Sequence, residues 1–180
     1  KTATRFLDNV IEVNTYPLKE IEEMTKANRK IGLGVMGWAD MLILLGIPYN
    51  SAEAVALGEK VMQFITTESR QVSRQLAEER GAFANFKGSL YDQKGEPALR
   101  NATCTTIAPT GTISIIANAS SGIEPLFAVS YVRQVLDNDI LVEVHPLFEK
   151  IAKERGFYTP ELMKLIAEHG TIQDFKQIPE

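Results

Sequence analysis

The longest regular pattern in the chain is an apolar stripe between Ser51 and Arg80. Its members recur at alternating spacings of three and four residues: Val55, Gly58, Met62, Ile65, Ser69, Val72 and Leu76. This periodicity predicts one continuous helix, with Ser51 as its N-cap and Gly81 as its stop. At about 1.5 Å per residue the helix would be roughly 45 Å long. Because a domain of this size is not much wider, we expect the helix to contact a surface beyond this chain.

Four further segments have helical patterns. Leu18–Lys30 begins with acidic residues and ends with basic ones, a charge order that complements the helix dipole. Ile31–Leu45 is apolar on most sides and predicts a helix in the middle of a larger body. Pro146–Arg155 and Pro160–His169 predict two short helices near the end of the chain.

Two short segments are typical of strands. Ala102–Ala108 is β-branched and predicts a buried strand that Pro109 ends, after which Ile113–Ala119 can start a helix. Leu126–Val135 alternates apolar and polar residues and predicts a second strand. The intervening Gly81–Arg100 is rich in turn-forming residues and predicts a loop. Strands and helices mixed in this way indicate an α/β body.

Composition narrows the class of protein. The 180 residues suit one domain or a substantial piece of a larger one, and 44% hydrophobic with 23% charged residues excludes a disordered protein. No apolar run approaches the roughly 20 residues of a membrane span, and no signal-peptide core follows the first residues, so we expect a soluble cytoplasmic protein. A net charge of −4 disfavours nucleic acid as a partner.

Cysteine and histidine are too scarce for most metal sites. The single Cys104 excludes an internal disulfide and a Cys-based zinc site, and two histidines are too few for a typical catalytic zinc, so no metal is expected. Cys104 could be a nucleophile or radical carrier, but its place in an apolar strand favours a small core residue. His145 and His169 have the positions of turn and helix-end residues.

A literal GxGxxG occurs at Gly32–Gly37. A dinucleotide-binding fingerprint needs a hydrophobic strand directly before it, whereas Thr25–Lys30 is the polar end of a predicted helix. The pattern therefore favours glycines that allow close helix packing over a Rossmann site.

Pro109-Thr110-Gly111-Thr112-Ile113-Ser114 lies between the predicted strand and the next helix. A helix N-terminus offers unpaired amides and partial positive charge, Gly111 permits close approach, and the hydroxyls add donors, so the segment could hold a phosphate. No Lys follows, which excludes a Walker A loop. An ordinary capped turn is the alternative. Downstream, Glu124 between Ile123 and Pro125 is either a buried functional carboxylate or the cap of a turn.

Several of these segments together resemble the catalytic subunit of ribonucleotide reductases. They are Arg29–Leu42 (RKIGLGVMGWADML), Leu45–Tyr49 (LGIPY), Arg100–Thr103 (RNAT), Ile107–Ser114 (IAPTGTIS) and Ser120–Pro125 (SSGIEP). The combination is most similar to the adenosylcobalamin-dependent (class II) branch, because class I large subunits usually differ in the turn. The resemblance runs from about Arg5 to Glu180.

The resemblance implies a ten-stranded α/β barrel built from two parallel halves, with this chain as a helix-rich part of the second half. It implies that Pro109, Thr110, Gly111, Thr112, Ile113 and Ser114 form the loop that binds the phosphates of a ribonucleotide substrate, with Glu124 in a supporting role. The implied reaction is radical reduction of ribonucleoside diphosphates to deoxyribonucleotides for DNA synthesis, with adenosylcobalamin as cofactor of the complete enzyme.

The family's catalytic residues are not found in these 180 residues. The Asn-Pro-Cys-Gly-Glu motif of the radical-carrying loop is absent, and Cys104 matches none of the family's catalytic cysteines. The resemblance therefore implies a single segment, residues 1–180, of an incomplete barrel domain, inactive alone and binding no cofactor by itself. Its expected partners are the substrate and the remaining part of the barrel, in the same or a split chain. The alternative function is a stand-alone nucleotide- or phosphate-binding module that lost the radical site.

Overall fold

The computed structural model describes residues 1–134 and 140–179. Helices dominate these ranges, and none of them is both long and apolar enough to cross a membrane. In chain order the helices are α1 (Thr2–Val13), α2 (Lys19–Asn28), α3 (Trp38–Leu45), α4 (Ala52–Arg80), α5 (Leu90–Gln93), α6 (Gly111–Ala117), α7 (Pro146–Glu154) and α8 (Pro160–His169), with a 3-10 turn at Ala84–Phe86. Strands β1 (Ser130–Gln134) and β2 (Ile140–Val144) form an antiparallel pair in which Val132 lies opposite Val142.

The long helix α4 is confirmed with both of its predicted ends. Ser51 Oγ accepts a hydrogen bond from Ala54 N at 3.1 Å, and Gly81 follows the last turn with φ of +87°. The predicted stripe is buried in the second half of the helix, where Leu76 is fully enclosed. In the first half Val55 is 73% exposed. The described residues therefore bury the C-terminal half of this face and cover its N-terminal half only in part.

The helix predicted over Ile31–Leu45 is wrong in its first half, because α3 begins only at Trp38. The preceding residues are extended beside the segment that was predicted as the buried strand. Leu33 N donates to Cys104 O at 2.9 Å and Thr106 N donates to Leu33 O at 3.1 Å, which makes a parallel bridge between Leu33 and Thr105. The predicted strand at 102–108 is thus an extended segment with one parallel bridge, since the described residues pair it on one side only.

The glycines of the GxGxxG segment serve this close approach of two extended segments, and the predicted helix packing is wrong. A Cβ on Gly34 would lie 2.6 Å from the carbonyl oxygen of Thr106, and one on Gly32 would lie 2.5 Å from Thr106 Cγ2. Gly37 precedes α3 in the left-handed conformation, with φ of +76°. The pattern is therefore a packing requirement of the backbone.

Gly34→Ala is expected to lower the free energy of unfolding by about 2 kcal/mol, because a methyl group cannot fit against a backbone oxygen unless the two segments separate. Gly111→Ala is the matched control, since no described atom lies within 4 Å of the Cβ it would add. Urea unfolding followed by circular dichroism measures both. Equal stability of the two variants would contradict the close approach.

The remaining predictions differ in their bounds. Helices α2, α7 and α8 are confirmed, and α6 begins two residues before the predicted Ile113. Helix α1 and strand β2 were not predicted, and α5 and the 3-10 turn lie in the segment Gly81–Arg100 that was predicted as a loop. The strand predicted at Leu126–Val135 begins only at Ser130, and Val135 lies outside the described residues. The hairpin packs on α8, where Ser130 Oγ donates to Met163 O at 2.8 Å. The buried apolar cluster at this end consists of Phe148, Leu162, Met163 and Ile166.

A buried ionic cluster joins the helical elements at the other end. Asp8 on α1 has no exposed surface, and its Oδ1 accepts from Arg29 Nη2 at 2.8 Å and from Asn101 Nδ2 at 3.0 Å. Arg80 and Arg100 approach its other oxygen at 3.3 and 3.5 Å. Burial opposes ionisation, but the hydrogen bonds from Arg29 and Asn101 and the surrounding positive charges outweigh it and hold the pKa of Asp8 below its usual value.

The same cluster fixes the start of the segment that leads to the candidate phosphate turn. Asn101 is fully buried, its Nδ2 also donates to Arg29 O at 3.1 Å, and its backbone N–H donates to Ser73 Oγ at 3.0 Å. Ala102 N donates to Asn28 O at 3.0 Å. The chain therefore leaves the cluster in a defined direction toward residues 103–110.

Candidate functional site

The segment predicted to bind phosphate forms a tight turn into α6. Thr110 precedes the helix in the left-handed conformation, with φ of +54°, which is strained for a residue with a branched Cβ. The first amide bonded within the helix is that of Ser114, which donates to Thr110 O at 2.9 Å. Among the described residues no acceptor takes the N–H groups of Gly111, Thr112 and Ile113, and all three residues are exposed. The turn thus presents three adjacent unpaired donors.

The hydroxyl groups of the turn have different surroundings. Thr110 Oγ1 accepts from Gly122 N at 2.6 Å, which leaves its own proton free to donate. Thr112 is exposed. Ser114 is 2% exposed, and its hydroxyl donates to Gly111 O at 2.8 Å and lies 3.0 Å from Ser121 Oγ. The hydroxyl of Ser114 therefore supports the turn from inside, that of Thr110 is bonded to the neighbouring loop, and Thr112 lies at the surface.

A second loop, residues 119–122, holds the turn in place. Gly122 N and Ser121 Oγ make the two contacts just described, and Gly37 N donates to Ser120 O at 2.7 Å. The sequence singled out the overlapping segment Ser120–Pro125 and named Glu124 as its candidate functional residue. That residue is exposed, so a buried carboxylate is wrong, and its backbone N–H donates to Ser121 O at 3.2 Å as part of a turn. No backbone hydrogen bond joins Glu124 to residues 109–114 in the described ranges.

Cys104 is a packed core residue, as predicted. It is 6% exposed, and burial raises the pKa of its thiol. A protonated, enclosed thiol is a poor nucleophile.

We expect iodoacetamide to modify Cys104 slowly in the folded chain and rapidly in denaturant, which mass spectrometry measures. Equal rates in both conditions would contradict this packing.

The histidines lie at element boundaries, as the sequence indicated. His145 precedes α7, and its Nε2 is 3.1 Å from Asp40 Oδ1. His169 ends α8, with Nδ1 3.0 Å from Leu165 O and its ring edge-on to Phe175. Within residues 1–134 and 140–179 no group of three or more His, Cys, Asp or Glu side chains could hold a metal ion.

An apolar pocket of about 340 Å³ opens beside the uncovered half of α4. Trp38 lines it and lies 3.5 Å from the position that a Cβ on Gly58 would occupy. Val55 and Met62 also line the pocket, as does Tyr49, whose hydroxyl donates to Ile123 O at 2.8 Å. The pocket therefore shares residues with the apolar stripe that the described chain leaves exposed.

Comparison with known proteins places these features in a family. A family model described as ribonucleotide reductase, barrel domain, matches residues 1–180. The vitamin B12-dependent ribonucleoside-diphosphate reductase of Thermoplasma acidophilum is 57% identical over 175 residues, which are 97% of this chain and 23% of that protein. The protein of the same description from Mycobacterium tuberculosis strain H37Rv is 48% identical over 177 residues, 98% of this chain and 25% of its own length.

A solved structure agrees with this placement. The class Id ribonucleotide reductase alpha subunit of Actinobacillus ureae superposes with a TM-score of 0.79 at 26% sequence identity, over 99% of this chain and 32% of that one. The chain thus spans about a quarter of the length of the curated relatives it matches.

Proposed function

The chain belongs to the ribonucleotide reductase barrel-domain family, and on that premise we propose that it forms the substrate-phosphate site of a vitamin B12-dependent ribonucleoside-diphosphate reductase. The observation that carries the proposal is the row of unpaired, exposed amides at Gly111, Thr112 and Ile113. Such amides, at the positive end of a helix, are suited to the oxygens of a diphosphate. The fold supports it, since the parallel approach of the segments around Leu33 and Thr105 fits neighbouring strands of the second half of a ten-stranded α/β barrel.

Each residue of the turn has a distinct part in this proposal. The amides of Gly111, Thr112 and Ile113 donate to phosphate oxygens, and the hydroxyls of Thr110 and Thr112 add two donors. Pro109 ends the extended segment ahead of the turn. Ser114 keeps the turn in shape through its internal hydrogen bonds, and Glu124 supports it only through the backbone of the neighbouring loop.

The turn binds and orients the substrate, and the radical chemistry belongs to other parts of the complete enzyme. Binding of the diphosphate places the ribose at a defined position relative to the turn. The reacting groups then do not have to meet by diffusion, which lowers the entropic cost of the reaction. Adenosylcobalamin, proposed for the complete enzyme from the names of the relatives, supplies radical initiation when bound. Cys104 is enclosed and His169 Nδ1 lies 3.0 Å from Leu165 O, so neither side chain is proposed as a ligand of that cofactor.

The proposed macromolecular partner is the remaining part of the reductase barrel. Large apolar side chains are exposed on the first half of α4 and the end of α3, with Val55 at 73%, Phe64 at 68% and Leu44 at 68%. Exposed apolar surface of this kind marks an interaction site in a soluble domain. The rest of the barrel would cover it together with the apolar pocket.

Reconstitution tests this function. The chain combined with the rest of its catalytic subunit is expected to convert CDP to dCDP only when adenosylcobalamin and a reductant are added, and the chain alone is expected to show no turnover. Product formation is measured by chromatography. Tight binding of CDP without any turnover by the reconstituted protein would instead favour the stand-alone binding module.

A further inference from the structure

The carboxylate of Asp40 is hydrogen-bonded to Ser120 in the loop 119–122, and the next two residues of that loop are hydrogen-bonded to the phosphate turn. We infer that Asp40 is a positioning residue, which holds residues 110–114 in the conformation that binds phosphate. The inference rests on the proposed function, because it assigns Asp40 a part in the same site.

Asp40 binds the loop 119–122 at Ser120 through two reciprocal hydrogen bonds. Its Oδ2 accepts from Ser120 N at 2.7 Å, and its own backbone N–H donates to Ser120 Oγ at 3.3 Å. The side chain is 18% exposed, so little water competes for the carboxylate. The bond from Gly37 N to Ser120 O adds a third contact at the same residue. The loop is thereby fixed to the start of α3.

The loop in turn holds the phosphate turn at both of its ends. Gly122 N donates to the hydroxyl oxygen of Thr110 at 2.6 Å, and Ser121 Oγ lies 3.0 Å from Ser114 Oγ. Thr110 is the residue with positive φ, a conformation that persists only where neighbouring contacts enforce it. Loss of the Asp40 carboxylate therefore removes one of the contacts that hold this loop, which weakens the restraint on Thr110 and the alignment of the amides that follow.

The position of Asp40 argues against a role confined to its own helix. It is the third residue of α3, where a carboxylate ordinarily interacts with the first amides of the same helix. Here Oδ2 bonds instead to an amide 80 residues further along the chain. His145 Nε2 lies 3.1 Å from Oδ1 on the other side, at the junction of β2 and α7, and restricts the rotation of the carboxylate. The carboxylate thus joins three parts of the fold beside the turn.

The test uses the reconstituted holoenzyme and compares CDP with cytidine, which lacks the phosphates. Asp40→Ala is expected to weaken CDP binding and raise the KM for CDP about tenfold, with less than about a twofold change for cytidine. Asp40→Asn retains an oxygen that accepts from Ser120 N, so we expect it to stay within about threefold of the wild type. Asp40→Leu has a branched side chain of similar shape to that of Asn but offers no acceptor, and it replaces the alanine variant in the comparison if that variant fails to fold.

Asp92→Ala is the matched control, because Asp92 Oδ2 also accepts from a backbone amide, that of Gly88 at 2.7 Å, in a loop with no described bond to the turn. We expect unchanged CDP binding for this variant. The inference is overturned if Asp40→Leu binds CDP as well as Asp40→Asn does, or if CDP and cytidine lose affinity equally. Thr112→Pro, which removes the backbone N–H of the turn itself, distinguishes failure of this inference from failure of the proposed function: if it leaves CDP binding unchanged, the proposed function itself is wrong.

Discussion

Replacement of Asp8 by Asn is expected to lower the free energy of unfolding by about 3 to 5 kcal/mol, the usual cost of removing one partner from a buried ion pair. Arg29 is 3% exposed, and its guanidinium would keep a buried positive charge with only the half-exposed carboxylate of Glu12 left to pair with it. Asparagine has nearly the same volume as aspartate, so the change isolates the charge from the packing. Urea denaturation followed by circular dichroism measures the difference.

The exposed ion pair between Arg5 and Glu79 provides the control. Its N–O distance is also 2.8 Å, but both side chains are more than 40% exposed, so Glu79→Gln is expected to change stability little. If the two variants lose the same stability, burial of Asp8 is not what makes its pair important.

The carboxylate of Asp8 also makes the free energy of unfolding depend on pH. Because folding lowers the pKa of Asp8, its contribution is complete above its unfolded pKa of about 4 and is lost as the pH falls through the lower folded value. The wild-type chain is therefore expected to lose stability below about pH 4 more steeply than Asp8→Asn does. If the free energy of unfolding of the two proteins falls equally steeply below about pH 4, this assignment is contradicted.

Thr112→Pro is expected to weaken the binding of CDP by between about tenfold and a hundredfold, the range for losing a hydrogen bond to a charged group. Proline removes the N–H of the second residue of α6, where no acceptor among the described residues uses it. Proline is tolerated in the first turn of a helix, so the fold is expected to persist. Calorimetric titration of the reconstituted holoenzyme measures affinity, and circular dichroism checks the fold.

Thr112→Ala separates the amide from the hydroxyl at the same position. It keeps the N–H and removes only Oγ1, so we expect a loss of CDP affinity that is smaller than that of the proline variant. Equal affinities of the alanine and proline variants would show that the backbone amide of Thr112 does not contact the phosphates.

The sequence predicted an element correctly where the periodicity of a single buried face determines its structure. The spacing along α4 and its caps at Ser51 and Gly81 predicted both ends of that helix. At Gly32–Gly37 the same reasoning was wrong, because an apolar segment of that length suits a helix or a buried extended segment equally. What decided the outcome is the backbone of Thr106, which no local pattern reveals.

The candidate site was predicted as a segment, and its internal arrangement was not. Proline, glycine and threonines ahead of an apolar run indicated a helix start with free donors, and the turn has that form. The inward orientation of Ser114 depends on Ser121, and the restraint on Thr110 depends on Gly122. The bond of Asp40 to Ser120 joins positions 80 residues apart, so it is set by tertiary packing rather than by spacing.

The central claim is that three backbone amides of the turn are the ligands of the substrate's phosphates. Titration of the isotopically labelled chain with inorganic pyrophosphate, followed by amide nuclear magnetic resonance, tests it most directly. The account predicts saturable shifts of the Gly111, Thr112 and Ile113 amides, with smaller shifts at Ser121 and Gly122 through the contacts that hold the turn. Saturable shifts elsewhere in the chain, with these three amides unmoved, would contradict it.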